Sequence, residues 1–347
     1  TISIFKIYKM ILFFLVFIFS LLFFLFFKKI VKKVNIYDAP DGVRKFQKNK
    51  ISCIGGIYFY FIFTVILFYS FSISKETNFI FQTFLIENNK EFLLFFFTVT
   101  CLFLIGLYDD KYQLDSTIKT VLLLTIIFFY VYHENKFQIN ELRFSFLSQE
   151  IILGNLSIFF TSICIFSLLV ASNMFDGSNG QSFINFLSIF IFLFYKGLFV
   201  ELSFMFILML IFFAYYNFKN LAYLGDNGVY ILSFILGYSV IKNYNFDKSI
   251  YVEEIIIILL IPILDMIRLF ITRTILGKNP FKPDATHLHH IVQRNYGAKK
   301  LIYILAMLFL IPLSILIFST LKYYYIIILQ FLVYVYLILN KKNNKIS

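Results

Sequence analysis

Gly106-Leu107-Tyr108-Asp109-Asp110-Lys111-Tyr112-Gln113-Leu114 sets two adjacent carboxylates at the end of an apolar run, Phe92 to Tyr108, that is long enough to cross a bilayer. An ionised Asp costs roughly 2.5–3.5 kcal/mol at the centre of a membrane helix and less toward the interface, so an unpaired doublet is disfavoured and the pair asks for a cation. In a helix the two side chains point about 100° apart. At a helix end both can still reach one central cation, or divide the work between a metal and a substrate. A solvated pair closing a helix is the plainer alternative, and the helix macrodipole slightly disfavours carboxylates at a C-terminus.

The rest of the chain is of the same kind as this run. With 60% hydrophobic and only 14% charged residues in 347, it holds far more apolar sequence than a soluble fold needs, and it reads as an all-α polytopic membrane protein. About eleven transmembrane helices are predicted, at 8–27, 53–73, 92–108, 117–132, 155–172, 182–195, 199–216, 228–241, 255–271, 301–320 and 323–339. No internal repeat or soluble domain interrupts them, so 1–347 is read as one integral membrane domain. Loop 133–154, with Leu142, Phe144 and Phe146 alternating, suggests a small hairpin. Cys53, Cys101 and Cys164 show no ligand spacing and are read as packing residues.

The formal net charge of +12 is unevenly placed. Lys28, Lys29, Lys32, Lys33, Arg44, Lys45, Lys48 and Lys50 crowd loop 28–52. Arg273, Lys278, Lys282, Arg294, Lys299 and Lys300 lie in 272–300, and Lys341, Lys342 and Lys345 in the tail. Eleven spans put all three on one face, whereas the alternate loops mix lysines with many glutamates. By the positive-inside rule the N-terminus is outside and the C-terminus cytoplasmic. The first span, flanked by Lys28 to Lys33 and lacking a small-residue cleavage site, reads as a retained anchor. On this map five internal loops share the cytoplasmic face and can share one active site.

Those loops carry the remaining polar clusters. Asn173-Met174-Phe175-Asp176-Gly177-Ser178-Asn179-Gly180 reads as a tight turn that lets backbone approach a ligand; Leu187 stands where a calcium loop needs its bidentate Glu, so that reading fails. Gly225-Asp226-Asn227-Gly228 opens a helix whose N-terminal N–H groups suit phosphate oxygens, with capping by Asp226 or Asn227 as the alternative. Asp265 and Arg268, three apart, suit an ion pair. Beyond them His287, His289 and His290 fall within four residues beside Asp284, as a set of donors for phosphate; no Cys or Glu completes a zinc spacing. Walker, dinucleotide-binding, HExxH and nucleophile-elbow motifs are absent from the sequence, and nothing in it points to a nucleic-acid partner.

Taken in order, Asp38-Ala39-Pro40-Asp41-Gly42-Val43-Arg44-Lys45, Gly55-Gly56, Asp109-Asp110 with Leu114 and Lys119, Asn173 to Gly180, Gly225 to Gly228, and Pro262 to His290 resemble the polyprenyl-phosphate N-acetylhexosamine-1-phosphate transferases (glycosyltransferase family 4). Pro283-Asp284-Ala285-Thr286-His287-Leu288-His289-His290 is closer to the bacterial undecaprenyl-phosphate GlcNAc-1-phosphate branch than to the phospho-MurNAc-pentapeptide translocases. Phe46-Gln47 and Cys53-Ile54 depart from the family pattern in the first loop.

The resemblance implies transfer of N-acetylhexosamine-1-phosphate from a UDP-sugar to polyprenyl phosphate with release of UMP, as the first step of a lipid-linked cell-surface polysaccharide. It implies Mg²⁺ as cofactor, with Asp226 and Asn179 as metal ligands. Asp109 or Asp110 would orient or deprotonate the lipid phosphate, alongside His289. Arg44, Lys119, Asn173, Asp176, Asn179, His287 and His290 would contact substrate. Partners are then UDP-N-acetylhexosamine, polyprenyl phosphate and membrane lipid, with a homodimer left open. Pro280, Phe281, Pro283 and Leu288 crowd the histidine loop, which suggests a compact sugar in place of a peptide-bearing donor. The rivals are the pentapeptide translocase and, from another class, a cation-coupled transporter, which would want its polar groups near the midplane.

Overall fold

The computed structural model describes residues 2–40, 49–73, 79–246, 248, 250–281 and 284–340. Among them are fourteen α-helices. The first seven are α1 (Ile2–Leu25), α2 (Phe27–Val34), α3 (Gly55–Ile73), α4 (Phe79–Phe84), α5 (Asn89–Tyr112), α6 (Ser116–His133) and α7 (Ser157–Phe175). The rest are α8 (Gln181–Tyr195), α9 (Val200–Phe218), α10 (Gly225–Phe246), α11 (Val252–Ile275), α12 (Leu288–Tyr296), α13 (Ala298–Phe318) and α14 (Tyr323–Leu339). Two antiparallel ladders are added: β1 (Tyr37–Asp38) pairs with β2 (Ile51–Ser52), and β3 (Glu141–Leu142) with β4 (Ile151–Ile152). The second is the hairpin that the alternation in 133–154 suggests.

Eight helices, α1, α3, α5, α6, α7, α9, α11 and α13, are long and apolar enough to cross a membrane. The protein is an all-α polytopic membrane protein. The other three of the eleven expected spans differ in kind. α8 and α14, of 15 and 17 residues, are apolar but short. α10 is 22 residues long but too polar to stand with the eight. Every residue from Asn227 to Tyr244 in it is buried, chiefly against α5, α3 and α7. A helix with no lipid-facing side need not be apolar, provided its polar groups are partnered. Asn243 accordingly donates to the Ser239 carbonyl at 2.8 Å, and Lys242 pairs with Glu91 and, at 3.6 Å, Glu134.

The helices close on α10 at its N-terminal end through glycines. A Cβ on Gly106 of α5 would lie 2.4 Å from the Asn227 Cα, and one on Gly56 of α3 would lie 1.5 Å from the Asn227 Oδ1. Only the absence of a side chain permits these approaches. The chain is tied there as well: Gly55 N–H donates to the Tyr223 carbonyl at 3.1 Å and Gly56 N–H to that of Leu224 at 2.9 Å. Two apolar cores result. The larger is built mainly around α3, α5, α9 and α10; the second joins α12, α13 and α14 to Phe175, Ile184 and Ile261.

α5 runs four residues past Tyr108, so the Asp109-Asp110 pair belongs to its last turn instead of a loop; Gln113, left-handed at φ 57°, ends it. Nothing in the composition of this turn marks a helix end, since the usual glycine is missing.

Candidate active site

Asp110 reaches across to α10 and caps it. Its Oδ1 accepts from the Asp226 N–H at 2.9 Å and its Oδ2 from the Asn227 N–H at 3.1 Å and the Asn227 amide. A carboxylate at a helix N-terminus satisfies donors that the helix leaves over and complements its dipole. The cap expected from Asp226 or Asn227 thus comes from another helix, and these two N–H groups are already engaged. Gly225, at φ +75°, makes the turn that permits it; a Cβ there would sit 2.7 Å from the Asp110 Oδ2.

Asp109 faces the other way. Its Oδ1 accepts from the Leu114 N–H at 2.7 Å, and its Oδ2 accepts from Lys119 Nζ at 2.7 Å. The same ammonium donates to Asp226 Oδ2 at 3.0 Å. Asn173, on the last turn of α7, donates to Asp226 Oδ1 at 2.8 Å, and the Tyr230 hydroxyl donates to Oδ2 at 3.3 Å. Lys119 is therefore the counter-ion of two carboxylates from different helices, buried Asp109 and half-buried Asp226. Lys119 itself is set at the start of α6, where Asp115 caps the helix by accepting from the Thr117 N–H at 2.8 Å. Those hydrogen bonds hold the exposed Asp115 carboxyl below the usual range.

Asp176 ends α7 and accepts from the Ser182 hydroxyl. Burial pushes its carboxyl up to about 7, against the Ser182 hydrogen bond and with help from the nearby charges of Asp226 and Asp38. Asp38 arrives on β1, so the first ladder belongs to the site. The turn that follows is held by Asn217, whose Oδ1 accepts from the Gly180 N–H at 2.7 Å. Asn179 donates to Asn220, not to Asp226, and its own Oδ1 is buried without a partner among the described residues.

His289 lies over this turn: a Cβ on Gly177 would be 2.2 Å from its ring. The ring is buried, both nitrogens lack partners among the described residues, and the His290 ring lies tilted against it with centroids 4.1 Å apart. Burial, with the two neighbouring imidazoles, holds its pKa well below the ordinary value, so the ring is neutral at pH 7. His287 is placed differently. Arg273 approaches its Nε2 at 3.3 Å, and Nδ1 is 3.5 Å from Asp265 Oδ2. A guanidinium only donates, so Nε2 accepts and Nδ1 carries the proton toward Asp265. Asp265 also takes Arg268 at 2.7 Å, the Tyr334 hydroxyl at 3.0 Å and the first N–H of α12, from Leu288, at 3.2 Å. The expected Asp265–Arg268 pair is thus part of a network that fixes the histidine segment, with Arg273 also holding Asp284 at 3.0 Å. Leu288 fills the second core and Phe281 packs on Phe270, so these two side chains are not free to crowd a sugar. Arg44, Lys282 and Pro283 lie outside the described residues.

Asp109 and Asp226 share a single ammonium, while Asp110 is held by the N-terminus of α10. Their donors are oxygens, which suit a hard divalent cation such as Mg²⁺. Among the described residues no three His, Cys, Asp or Glu groups surround one point. Mg²⁺ is typically bound by one or two carboxylates plus substrate phosphates and needs no all-protein cage. Asp226 and Asp109 are the carboxylates that could hold such an ion, and the Asn179 Oδ1 lacks a partner among the described residues. Tyr230 is not among the expected residues, although it stands one helical turn from Asp226, and Asn217 carries no sequence signal.

The sequence pattern of glycosyl transferase family 4 matches residues 92–243, which include every carboxylate of the cluster and both asparagines, Asn173 and Asn179. The chain is 24% identical over 298 residues to the undecaprenyl-phosphate alpha-N-acetylglucosaminyl 1-phosphate transferase of Escherichia coli (strain K12), covering 80% of this chain and 75% of that one. The similarly named protein of Yersinia pestis is 24% identical over 294 residues, with 80% and 75% covered. A protein of Bacillus subtilis (strain 168) named "Probable undecaprenyl-phosphate N-acetylglucosaminyl 1-phosphate transferase" is 31% identical over 199 residues, 54% of each chain. With its carboxylates inside the matched region and the aligned relatives spanning most of its length, the chain is similar to glycosyl transferase family 4 and to these transferases.

Proposed function

We propose that this chain transfers N-acetylhexosamine-1-phosphate from a UDP-sugar to undecaprenyl phosphate. An oxygen of the lipid phosphate attacks the sugar-linked phosphorus, the bond to the UMP phosphate breaks, and polyprenyl-diphospho-sugar and UMP result. The observation that carries this reading is the meeting of Asp109, Asp226 and Lys119 beneath a turn covered by the neutral, unpartnered His289. Such a site offers ammonium and imidazole N–H groups to a diphosphate, with carboxylates beside them that would suit a hard cation. Asp226, with Asp109 or Asn179, would hold Mg²⁺, which would supply charge neutralisation for the diphosphate. Asp109 is the carboxylate placed to orient the lipid phosphate, because Asp110 is committed to its cap. A base has little to do: the second ionisation of a phosphate monoester, at a pKa of about 6, is mostly complete at neutral pH. Asp176 and Asn179 are assigned to the nucleotide and His289 to the diphosphate. The lysine bias supports a cytoplasmic site with the N-terminus outside.

The relatives' names favour a GlcNAc donor over a pentapeptide-bearing one. Cation-coupled transport fits less well, because Asp265, in the body of α11, is consumed by Arg268, Tyr334 and the α12 N-terminus. The test is incubation of purified protein with polyprenyl phosphate, Mg²⁺ and both UDP-GlcNAc and UDP-MurNAc-pentapeptide. UMP should be released with consumption of UDP-GlcNAc. EDTA and Asp226→Asn should each remove nearly all turnover while the protein stays folded. No UMP from any UDP-N-acetylhexosamine would sink the proposal, and preferential use of the peptide donor would move the chain to the other branch.

A further inference from the structure

The outward face of α1 changes chemistry without changing direction. Helical hydrogen bonds run through the bend at Phe26: Phe26 N–H donates to the Leu22 carbonyl and Ile30 N–H to that of Phe26, both at 3.0 Å. Rows spaced by three and four residues therefore stay on one side. One row passes from exposed Phe17, Leu21 and Leu25 to Lys28 and Lys32; a second passes from exposed Leu22 and Phe26 to Lys29 and Lys33. The opposite face of α2, with Phe27, Ile30, Val31 and Val34, packs on the larger core.

All four lysines of α2 are exposed, the helix has no acidic residue, and none of the four makes an ion pair among the described residues. Lys29 rests over the Phe26 ring at 5.5 Å. Favourable interaction with the helix C-terminus accounts for Lys32 and Lys33 in the last turn but not for the alignment of all four with the apolar stripe above them. An apolar stripe of this length on α1, one of the membrane-length helices, is covered by acyl chains. The position directly beyond it is where their phosphates lie, and lysines at that depth extend along the stem to keep the ammonium there.

We propose that the lysine face of α2 is a binding surface for the headgroups of anionic phospholipids, which it gathers beside the site end of the helices. It stands apart from the transferase reading and draws only on the continuity between lipid-facing and cationic surface. Even one lysine beside an anionic lipid surface supplies about fivefold preference.

The test uses the full chain in nanodiscs of phosphatidylcholine with a minority of phosphatidylglycerol, measuring the ratio of the two lipids that remain with the protein after mild detergent extraction. Wild type should enrich phosphatidylglycerol at least about fivefold, with the enrichment falling as NaCl rises. The quadruple variant Lys28→Gln, Lys29→Gln, Lys32→Gln, Lys33→Gln should abolish it, and the matching quadruple Lys→Arg variant should keep it. Thermal unfolding should be the same in all three, since these side chains project outward. Enrichment that survives in the Gln variant overturns the proposal. Displacement of the lipid by inorganic phosphate beyond the effect of chloride at equal ionic strength overturns it too, in favour of a free-phosphate site. So does a change in the number of chains per disc with lipid enrichment intact, which would mean that a second copy covers the face.

Discussion

Asp109 and Asp110 are neighbours with separate tasks, because a helix turns them to different partners. Asp110 is spent on the backbone of α10; Asp109 shares Lys119 with Asp226. The doublet was legible as a site in need of a cation. Its division was not, since the choice depends on which helix end lies opposite, and that is a tertiary fact. The same holds for the histidines: three in four residues read as equivalent donors, but Arg273 takes Nε2 of His287, whose Nδ1 lies 3.5 Å from Asp265, and both nitrogens of His289 are left open. A pH prediction belongs at this scale. Asp176, at about 7 in the fold and about 3.9 unfolded, holds its proton more tightly when folded, so its contribution to stability is present below about pH 4 and is lost as pH rises through 7. His289 runs the opposite way: unfolding frees a ring that takes up a proton, so stability falls as pH drops below about 6.5. Asp176→Asn should therefore gain thermal stability over wild type progressively between pH 4 and 7, and His289→Gln should gain below pH 6.5. Unfolding curves for either variant that track wild type in parallel across these windows would refute the assignment.

Elements were easier to read than their ends. Long apolar runs located the spans because a bilayer demands length, whereas the extension of α5 through Asp110 and the start of α10 at Gly225 are set by capping across helices. The β1–β2 ladder, of two residues each, carries too short a pattern to be seen, although it brings Asp38 to the site. Glycines make the element-scale prediction. Gly106→Ala puts a methyl group into the α10 backbone, which cannot step aside, so a loss of roughly 1–3 kcal/mol is expected together with lost turnover. At Gly177 the obstacle is the His289 ring, a side chain that can rotate. Gly177→Ala should keep nearly all its stability and lose most of its turnover. Thermal unfolding in detergent and UMP release, measured side by side, distinguish the two; equal destabilisation of both variants would mean that His289 is as immovable as a helix.

On the scale of the molecule, the charge count pointed to two unlike faces, and the structure accounts for the difference pair by pair. Away from the site, Lys9, Lys196 and Lys242 each meet a glutamate, Glu201, Glu254 and Glu91. The α2 lysines at the site end meet none among the described residues. Hydropathy could not foresee that α10 is enclosed, because enclosure depends on helices far from it in the chain. That enclosure bears on how the protein is made. A segment is handed to the bilayer during synthesis according to its own apolarity, and α10 has no lipid-facing side to recommend it. Its slot is formed by α3, α5 and α7, which leave the ribosome first, so the newly made helix should enter as a passenger of an assembly already waiting. Glycosylation mapping in microsomes can follow this. α10 alone, carried in a host protein, should fail to insert, and it should insert when the chain from α3 onward precedes it. Efficient insertion of the isolated helix would show that order of synthesis plays no part, and that the centre of this protein is placed by the membrane itself.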